Sequence, residues 1–124
     1  MKDVKIASQT QKIDMAELLT RVDNDLELLR DLVAIFQEDF PRHLDTLRGA
    51  VAANDLREVK VASHTLKGML ANLAVSRAAT AAAQLEQVAG AGSTESVGSA
   101  LAEFEREVEG LLVEMQVRAE EAQL

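Results

Sequence analysis

Apolar residues recur at three- and four-residue steps between residues 29 and 51, and this spacing constrains the fold more than any other feature of the chain. The positions are Leu29, Leu32, Val33, Phe36, Phe40, Leu44, Leu47 and Val51. Such a stripe lies along one face of an α-helix, which we expect to begin near Asp25. Pro41 falls inside the pattern. Because proline removes one backbone hydrogen bond, we expect a kink near residues 39–40.

The rest of the chain shows the same helical periodicity and no sustained strand alternation. The further predicted helices are one short N-terminal helix and three longer ones, at residues 15–22, 55–73, 77–89 and about 97–121. Candidate N-caps are Asp14, then Asn54 or Asp55, and Ser76. The stretch GAGSTESVGS is expected to be the longest loop. We therefore predict an all-α fold, an antiparallel up-down four-helix bundle with a short additional N-terminal helix.

Length and charge limit the function. The chain has 124 residues and a formal net charge of −8, which fits one domain and argues against nucleic acid as a partner. We expect residues 1–13 to be a flexible N-terminus and residues 14–124 to form the bundle. No cysteine is present, so disulfides are excluded. No signal or membrane-spanning segment is recognisable, so we expect a cytoplasmic protein without a membrane partner.

The helix over 55–73 carries one of the two histidines on the side that faces away from its core residues. At about 100° per residue, His64 points away from the stripe that contains Leu66 and Leu70. Its neighbours at helical spacing are three cations and two small residues, namely Arg57, Lys60, Lys67, Gly68 and Ala71. This pattern predicts an exposed imidazole in a locally basic surface.

A phosphoryl-carrying histidine would suit this surface. An exposed imidazole is substantially neutral near pH 7, and its free ring nitrogen is then a nucleophile. Neighbouring cations such as Lys67 would stabilise a phosphoryl group on that nitrogen. Gly68 costs about 0.5–1 kcal/mol in a helix interior relative to alanine, and a need for partner access would explain that cost. Two structural interpretations stay open: His64 as an ordinary solvated surface residue, and Gly68 as a residue that allows close packing. From the stripe alone, these are the commoner explanations.

The other polar candidates favour structural roles. His43 lies beside the Phe36–Phe40 stripe and is expected to be a partly buried packing residue. No zinc-ligand spacing accompanies either histidine. Ser63 directly precedes His64, and adjacent helix positions do not face each other, so no Ser–His pair is implied. No phosphate-binding loop is present, so the chain has no visible means of using ATP.

The segment ASHTLKGMLANLAV resembles the signature of histidine-containing phosphotransfer (HPt) domains, which reads H-x-L-K-G followed by small residues. The matching positions are His64, Leu66, Lys67, Gly68, Asn72 and Leu73. The upstream stretch from residue 24, with its Phe–Pro break and AAND turn, also resembles these domains, and the similarity covers about residues 14–115. Three positions depart from the family pattern, Met69, Leu70 and Ala74. Of these, Met69 puts partner preference in doubt.

The resemblance implies a phosphorelay intermediate. His64 would take a phosphoryl group from a receiver-domain aspartate, through Nε2, and pass it to a second receiver. Lys67, and after it Lys60, would stabilise phosphoryl charge, and Gly68 would give access. The binding surface would also include Arg57, Met69 and Ala71. The receiver would supply Mg²⁺, and this chain would bind no cofactor. The implied partners are response-regulator receivers and a (hybrid) sensor histidine kinase, with this chain a monomer.

Two alternatives follow from the same residues. A non-catalytic helical adaptor would keep the bundle and bind a receiver or other partner without accepting phosphate, and Met69 is its sequence support. The dimerisation domain of a sensor kinase usually shows H-E/D-L-R at the histidine and precedes an ATPase domain. Here His64 is followed by TLKG and the chain is short, which disfavours that assignment.

Overall fold

A computed structural model describes residues 12–123, and these contain six α-helices and no strand. The helices, numbered here in chain order, are α1 (Met15–Arg21), α2 (Leu26–Ala52), α3 (Leu56–Asn72), α4 (Ser76–Gly90), α5 (Thr94–Val108) and α6 (Leu111–Gln123). The all-α prediction is therefore confirmed. No helix in the described part of the chain combines the length and the apolar character that a bilayer crossing requires.

Aspartate N-caps begin three of the helices. Asp14, Asp25 and Asp55 each accept a hydrogen bond from the backbone N–H three residues further on, at 3.0–3.1 Å. Each bond satisfies one N–H that the helix itself leaves free. The predicted cap Ser76 is wrong, because Ser76 is already the first residue of α4. Val75 occupies the cap position and offers no side-chain bond.

α2 contains Pro41 and still runs without interruption from Leu26 to Ala52. The predicted apolar stripe forms its buried face, where the rings of Phe36 and Phe40 stack with centroids 4.7 Å apart. Proline deprives the Gln37 carbonyl of its helical partner, and buried residues of the stripe lie on both sides of it. The kink near residues 39–40 stays a prediction.

The most extensive helix packing joins α3 to α4. α4 also packs on α5, and α2 packs on both α3 and α6. The buried residues of α4 are mostly small, Ala78, Ala81, Ala82, Leu85 and Ala89. Short side chains let neighbouring helices approach closely, and this brings the outer edges of α3 and α4 within reach of each other.

The C-terminal region differs from the prediction in two places. The predicted single helix over 97–121 is wrong, because the chain leaves helical geometry at Glu109 and Gly110. Gly110 has φ = +74°, which glycine adopts without steric cost. The long loop is also wrong, because α5 begins at Thr94 and only a short turn follows α4. The break at Gly110 turns Leu111 and Met115 into the core.

α1 lies against the C-terminal end of α3 and the turn that follows it. Arg21 donates a hydrogen bond to the Ala71 carbonyl of α3, and the Asp14 N–H bonds to the Ala74 carbonyl. Lys12 and Ile13, the last two residues of the predicted flexible segment, donate their backbone N–H groups to the Glu114 carboxylate. The other residues of that segment lie outside the described part of the chain.

Ala74, one of the departures from the HPt pattern, lies in the turn between α3 and α4. It has φ = +60°, a left-handed conformation that costs most residues about 1–2 kcal/mol and glycine little. This explains why glycine would suit the position. In this chain the Ala74 side chain is buried, at 2% exposure, so its contacts with the core offset part of the strain.

Candidate functional site

α3 separates a buried face from an exposed face, as its periodicity predicts. Its buried residues are Val59, Ala62, Ser63, Leu66 and Leu70. On the other side, 66% of the His64 side chain is exposed. The predicted neighbours of His64 at helical spacing share this outer side: Arg57, Lys60, Gly68 and Ala71 are exposed, and Lys67 is half-buried. Met69 is also half-buried but lies on another side of α3, against the core. α3 therefore presents the imidazole to solvent on a helix that the core holds firmly.

Glu86 on α4 is the direct partner of His64. One carboxylate oxygen, Oε2, lies 2.9 Å from Nδ1 of His64, and the other, Oε1, lies 2.9 Å from Nζ of Lys67. Since His64 and Lys67 are three residues apart, they reach the same carboxylate from adjacent positions on α3. We call these three residues the relay cluster. The single acid thus bridges the histidine and the lysine that the sequence pattern singles out.

The charge state of Glu86 fixes the proton on the ring. Hydrogen bonds from Lys67, and then from His64, hold the pKa of the Glu86 carboxyl below its usual value, although partial burial opposes them. The group is therefore a carboxylate at neutral pH, and a carboxylate can only accept hydrogen bonds. Nδ1 of His64 must then be the N–H donor. In the neutral ring this leaves the lone pair on Nε2.

The geometry at Gly68 gives no packing reason for a glycine. A side chain at this position would meet no heavy atom within 4 Å, and the backbone is ordinary helix. An alanine would therefore fit within the chain itself. The open space lies one helical turn beyond His64, on the same side of α3.

Lys60 precedes His64 by one turn. Its methylene stem lies beside Gly90 at the end of α4, where a side chain would contact it. Lys67 and Lys60 therefore differ, because Lys67 is paired with Glu86 and Lys60 extends along the surface.

An apolar groove opens between α1, α2 and α3, on the flank of α3 that carries Thr65 and Met69. It encloses about 520 Å³, and its lining includes Leu28, Ile35, Phe36, His43 and Met69. Leu28 and Ile35 are large apolar side chains with 43% and 56% of their surface exposed. Met69 also packs against the core, so it forms one wall of this groove. His43, on α2, also lines the groove and is half-buried, consistent with a packing role.

Ser63 takes no part in the relay cluster. It is fully buried, and its hydroxyl donates a hydrogen bond to the Val59 carbonyl at 2.6 Å. This bond within α3 accounts for its polar group, as expected for a residue at the core stripe.

Glu86 is the residue that sequence reasoning missed. The acid stands alone in the alanine-rich segment RAATAAAQLEQVAG, and that isolation is the only signal the sequence carries. The stripe around His64 has no acid of its own, so α3 alone suggests three unpaired cations around the ring. Packing of α4 brings the missing negative charge to the site.

Among residues 12–123, no group of three or more histidine, aspartate or glutamate side chains is arranged to hold a metal ion. The relay cluster contains one carboxylate, which is already occupied by two donors.

Comparison with known families agrees with the sequence resemblance. A family model described as the Hpt domain matches residues 31–115, which is more than half of the chain. This protein belongs to the Hpt domain family. Comparisons with curated proteins and with solved structures gave no match. Membership indicates a phosphotransfer module of two-component systems, a class of domain that interacts with receiver domains and histidine kinases.

Proposed function

We propose that this protein is a phosphorelay intermediate in which His64 accepts a phosphoryl group from one receiver-domain aspartate and donates it to another. The observation that carries the proposal is the relay cluster. It presents a solvent-exposed imidazole whose Nδ1 is committed to Glu86, which leaves Nε2 free to attack. Family membership supports the same chemistry.

The proposed reaction is an in-line displacement at phosphorus. The lone pair of Nε2 forms the N–P bond while the P–O bond to the receiver aspartate breaks, and the electron pair leaves with the aspartate carboxylate. Positioning and charge stabilisation dominate such transfers. The receiver would contribute Mg²⁺, which shields the charge of its aspartyl phosphate. This chain would contribute the nucleophile and the surface that docks the receiver.

The neighbouring residues support these roles. Lys67 lies beside the ring, and an ammonium hydrogen that is not bonded to Glu86 could contact a phosphoryl oxygen. Lys60 would add positive charge one turn away. The opening at Gly68 would admit the receiver to Nε2. Arg57 and Ala71 are exposed on the same side of α3, where they would extend the docking surface.

The apolar groove fits a receiver surface that is itself partly apolar. Leu28, Ile35 and Met69 would lose exposed surface on docking, worth about 25 cal/mol for each Å² that becomes buried. We propose one receiver at a time on a monomeric chain, in the cytoplasm. For the fold, we propose an antiparallel up-down four-helix bundle whose fourth member is α5 continued by α6, with α1 added at one end.

The decisive experiment measures transfer from phosphorylated receivers. Receiver domains from the source organism are phosphorylated with acetyl phosphate and incubated with the wild-type chain, with His64→Gln, and with His43→Gln as the matched control. We expect acid-labile, alkali-stable phosphate on the wild type and on His43→Gln, and none on His64→Gln.

Two results would contradict the proposal. Phosphate on His64→Gln at the wild-type level would show that another residue is the acceptor. Receiver binding without any transfer would identify the protein as an adaptor. The structure offers that alternative no separate support, because Met69 forms a wall of the apolar groove and packs against the core.

A further inference from the structure

The hydrogen bond between Glu86 and Nδ1 of His64 bears on the phosphorylated ring as well as on the unphosphorylated one. We propose that Glu86 keeps the proton on Nδ1 of His64 while the phosphoryl group is on Nε2, so that His64 stays a ready phosphoryl donor. The inference rests on the proposed function. It makes Glu86 a positioning residue, because the carboxylate acts through His64 and does not touch the phosphorus.

The bond changes show why the Nδ1 proton matters. When Nε2 attacks, the ring acquires a phosphoryl group on one nitrogen and still carries hydrogen on the other, so the ring itself is cationic. When the group moves on, the N–P bond breaks and its electron pair returns to Nε2, while phosphorus bonds to a carboxylate oxygen of the next receiver. If Nδ1 has kept its proton, neutral imidazole leaves. If Nδ1 has lost it, the leaving group is an imidazolate anion, which is far more basic.

The geometry at Glu86 favours retention of the proton. Oε2 lies 2.9 Å from Nδ1, and a carboxylate can accept a hydrogen bond there but cannot donate one. A hydrogen bond from a cationic ring to a carboxylate is stronger than one from a neutral ring. The contact therefore stabilises the protonated phosphohistidine over the form that has lost its Nδ1 proton.

Lys67 holds the carboxylate in place for this task. Its ammonium lies 2.9 Å from Oε1, so the two oxygens of Glu86 are held from two positions on α3. The Glu86 side chain is only 20% exposed, so water competes weakly for it. An unpaired surface glutamate would lack both constraints.

The test uses glutamine, which has nearly the same shape as glutamate but can accept or donate at the Nδ1 position. The wild type, Glu86→Gln and the control Glu105→Gln are phosphorylated on His64 with phosphoramidate, a small-molecule donor that requires no receiver. ¹⁵N NMR of histidine-labelled protein at pH 8 then reports whether Nδ1 is protonated, and the rate of phosphate loss is measured in the same samples.

We expect Nδ1 of the phosphorylated ring to be protonated in the wild type and in Glu105→Gln, and largely unprotonated in Glu86→Gln. Phosphate loss from Glu86→Gln should slow as the protonated fraction falls, by roughly threefold at pH 8 for a drop of one unit in the proton affinity of the ring. Onward transfer to a receiver should slow by a similar factor. The same Nδ1 signal in Glu86→Gln and wild type would overturn the inference, even if phosphate loss differed, because a freed Lys67 could cause that difference.

This experiment separates the inference from the proposed function. If the wild type holds its Nδ1 proton but passes phosphate to no receiver, the phosphorelay assignment fails and the role of Glu86 stands. If receivers exchange phosphate with His64 at equal rates in wild type and Glu86→Gln, the phosphorelay stands and the role of Glu86 is wrong. Failure of phosphoramidate to modify wild-type His64 would count against both.

Discussion

Glu105 and Glu86 are two of the carboxylates that bridge pairs of helices in this protein, and they differ in which partner groups they leave free. Glu105 on α5 is held by Arg48 of α2 through two bonds of 2.6 and 2.8 Å, which occupy both carboxylate oxygens. Glu86 on α4 is also held through both oxygens, but one donor is the ring of His64. In the Arg48–Glu105 pair, both carboxylate oxygens accept hydrogen bonds from a guanidinium that has no role as a nucleophile. The relay cluster uses up one ring nitrogen and leaves the second available for chemistry.

The two bridges also join helices that pack differently. α3 and α4 pack more extensively than any other pair, whereas α2 and α5 touch much less. The position of Glu86 relative to His64 is therefore set by the core beneath it. The position of Glu105 depends more on the pair itself. A surface ion pair acquires a defined geometry when the buried residues below it leave the two helices no freedom to shift.

Overpacking α3 against α4 should produce the largest effect. Ala82 is fully buried and lies one turn before Glu86 on the same side of α4. Ala82→Leu should lower the free energy of unfolding by about 1–3 kcal/mol and move Glu86 away from His64. Urea unfolding measures the first effect, and the ¹⁵N shifts of the His64 ring measure the second. Ala102→Leu, at an exposed position on α5, is the control. If Ala82→Leu were destabilised but the ¹⁵N shifts of the His64 ring did not change, core packing would not control the position of Glu86 relative to His64.

Lys67 and Lys60 should differ in their effect on transfer. Lys67→Met removes the second anchor of Glu86 and a cation beside the phosphoryl group, so acceptance of phosphate should slow about tenfold. Lys60→Met keeps a similar stem beside Gly90 and should slow it by less than about threefold. The measurement is the initial rate of transfer from a phosphorylated receiver. Equal losses in both variants would mean that overall positive charge, and not the paired geometry, controls the rate.

Gly68 and Gly49 offer a matched pair of helix-interior glycines. A side chain at either position would meet no atom within 4 Å, so alanine should stabilise each by about 0.5–1 kcal/mol. Only Gly68→Ala should slow phosphotransfer, by about threefold or more, because its methyl group projects beside His64. Thermal unfolding and transfer rates check the two parts. If Gly49→Ala slowed transfer equally, Gly68 would have no special role in access.

The smallest effect concerns acid stability. The pKa of Glu86 is lowered mainly by Lys67, and that of Glu105 mainly by Arg48. A carboxyl whose pKa is lower in the folded state stabilises the fold above its unfolded value of about 4.3, and this contribution is lost as the pH falls through the folded value. Glu86→Gln and Glu105→Gln should each lower stability by less than about 1 kcal/mol at pH 7, with the difference from wild type disappearing in acid.

Urea titrations between pH 3 and pH 7 measure this acid dependence. Glu38→Gln, at an exposed position on α2, is the control and should follow the wild-type curve. A deficit in Glu86→Gln that stayed constant down to pH 3 would show that the carboxylate charge is not its source.

Much of the fold could be read from the chain. The three- and four-residue spacing along α2 and α3 predicted the buried faces. Asp14 was predicted as a cap, Asp25 as the approximate start of α2, and Asp55 as one of two candidate caps of α3. These features depend on neighbours within one helical turn, which the sequence displays directly. The break at Gly110 was missed because the apolar pattern continues on both sides of it. Only the backbone turn at that glycine separates α5 from α6.

The candidate site also has one part that the sequence predicts and another part that depends on how the helices pack. His64, Lys67 and Gly68 lie on one helix, so their common side followed from helix geometry alone. The pairing with Glu86 joins residues 22 positions apart on two helices. It depends on the rotation and axial offset of α4 against α3, which the packing of several alanines decides. The place of Met69 in the groove likewise depends on α1 and α2, which no pattern within α3 could reveal.

The sequence by itself therefore determined an all-helical protein with an outward-facing histidine among cations, since helical periodicity is a local property. The tertiary structure decided which ring nitrogen is free. That choice depends on one carboxylate from another helix, and its approach to within 2.9 Å is fixed by close packing of the helices beneath it.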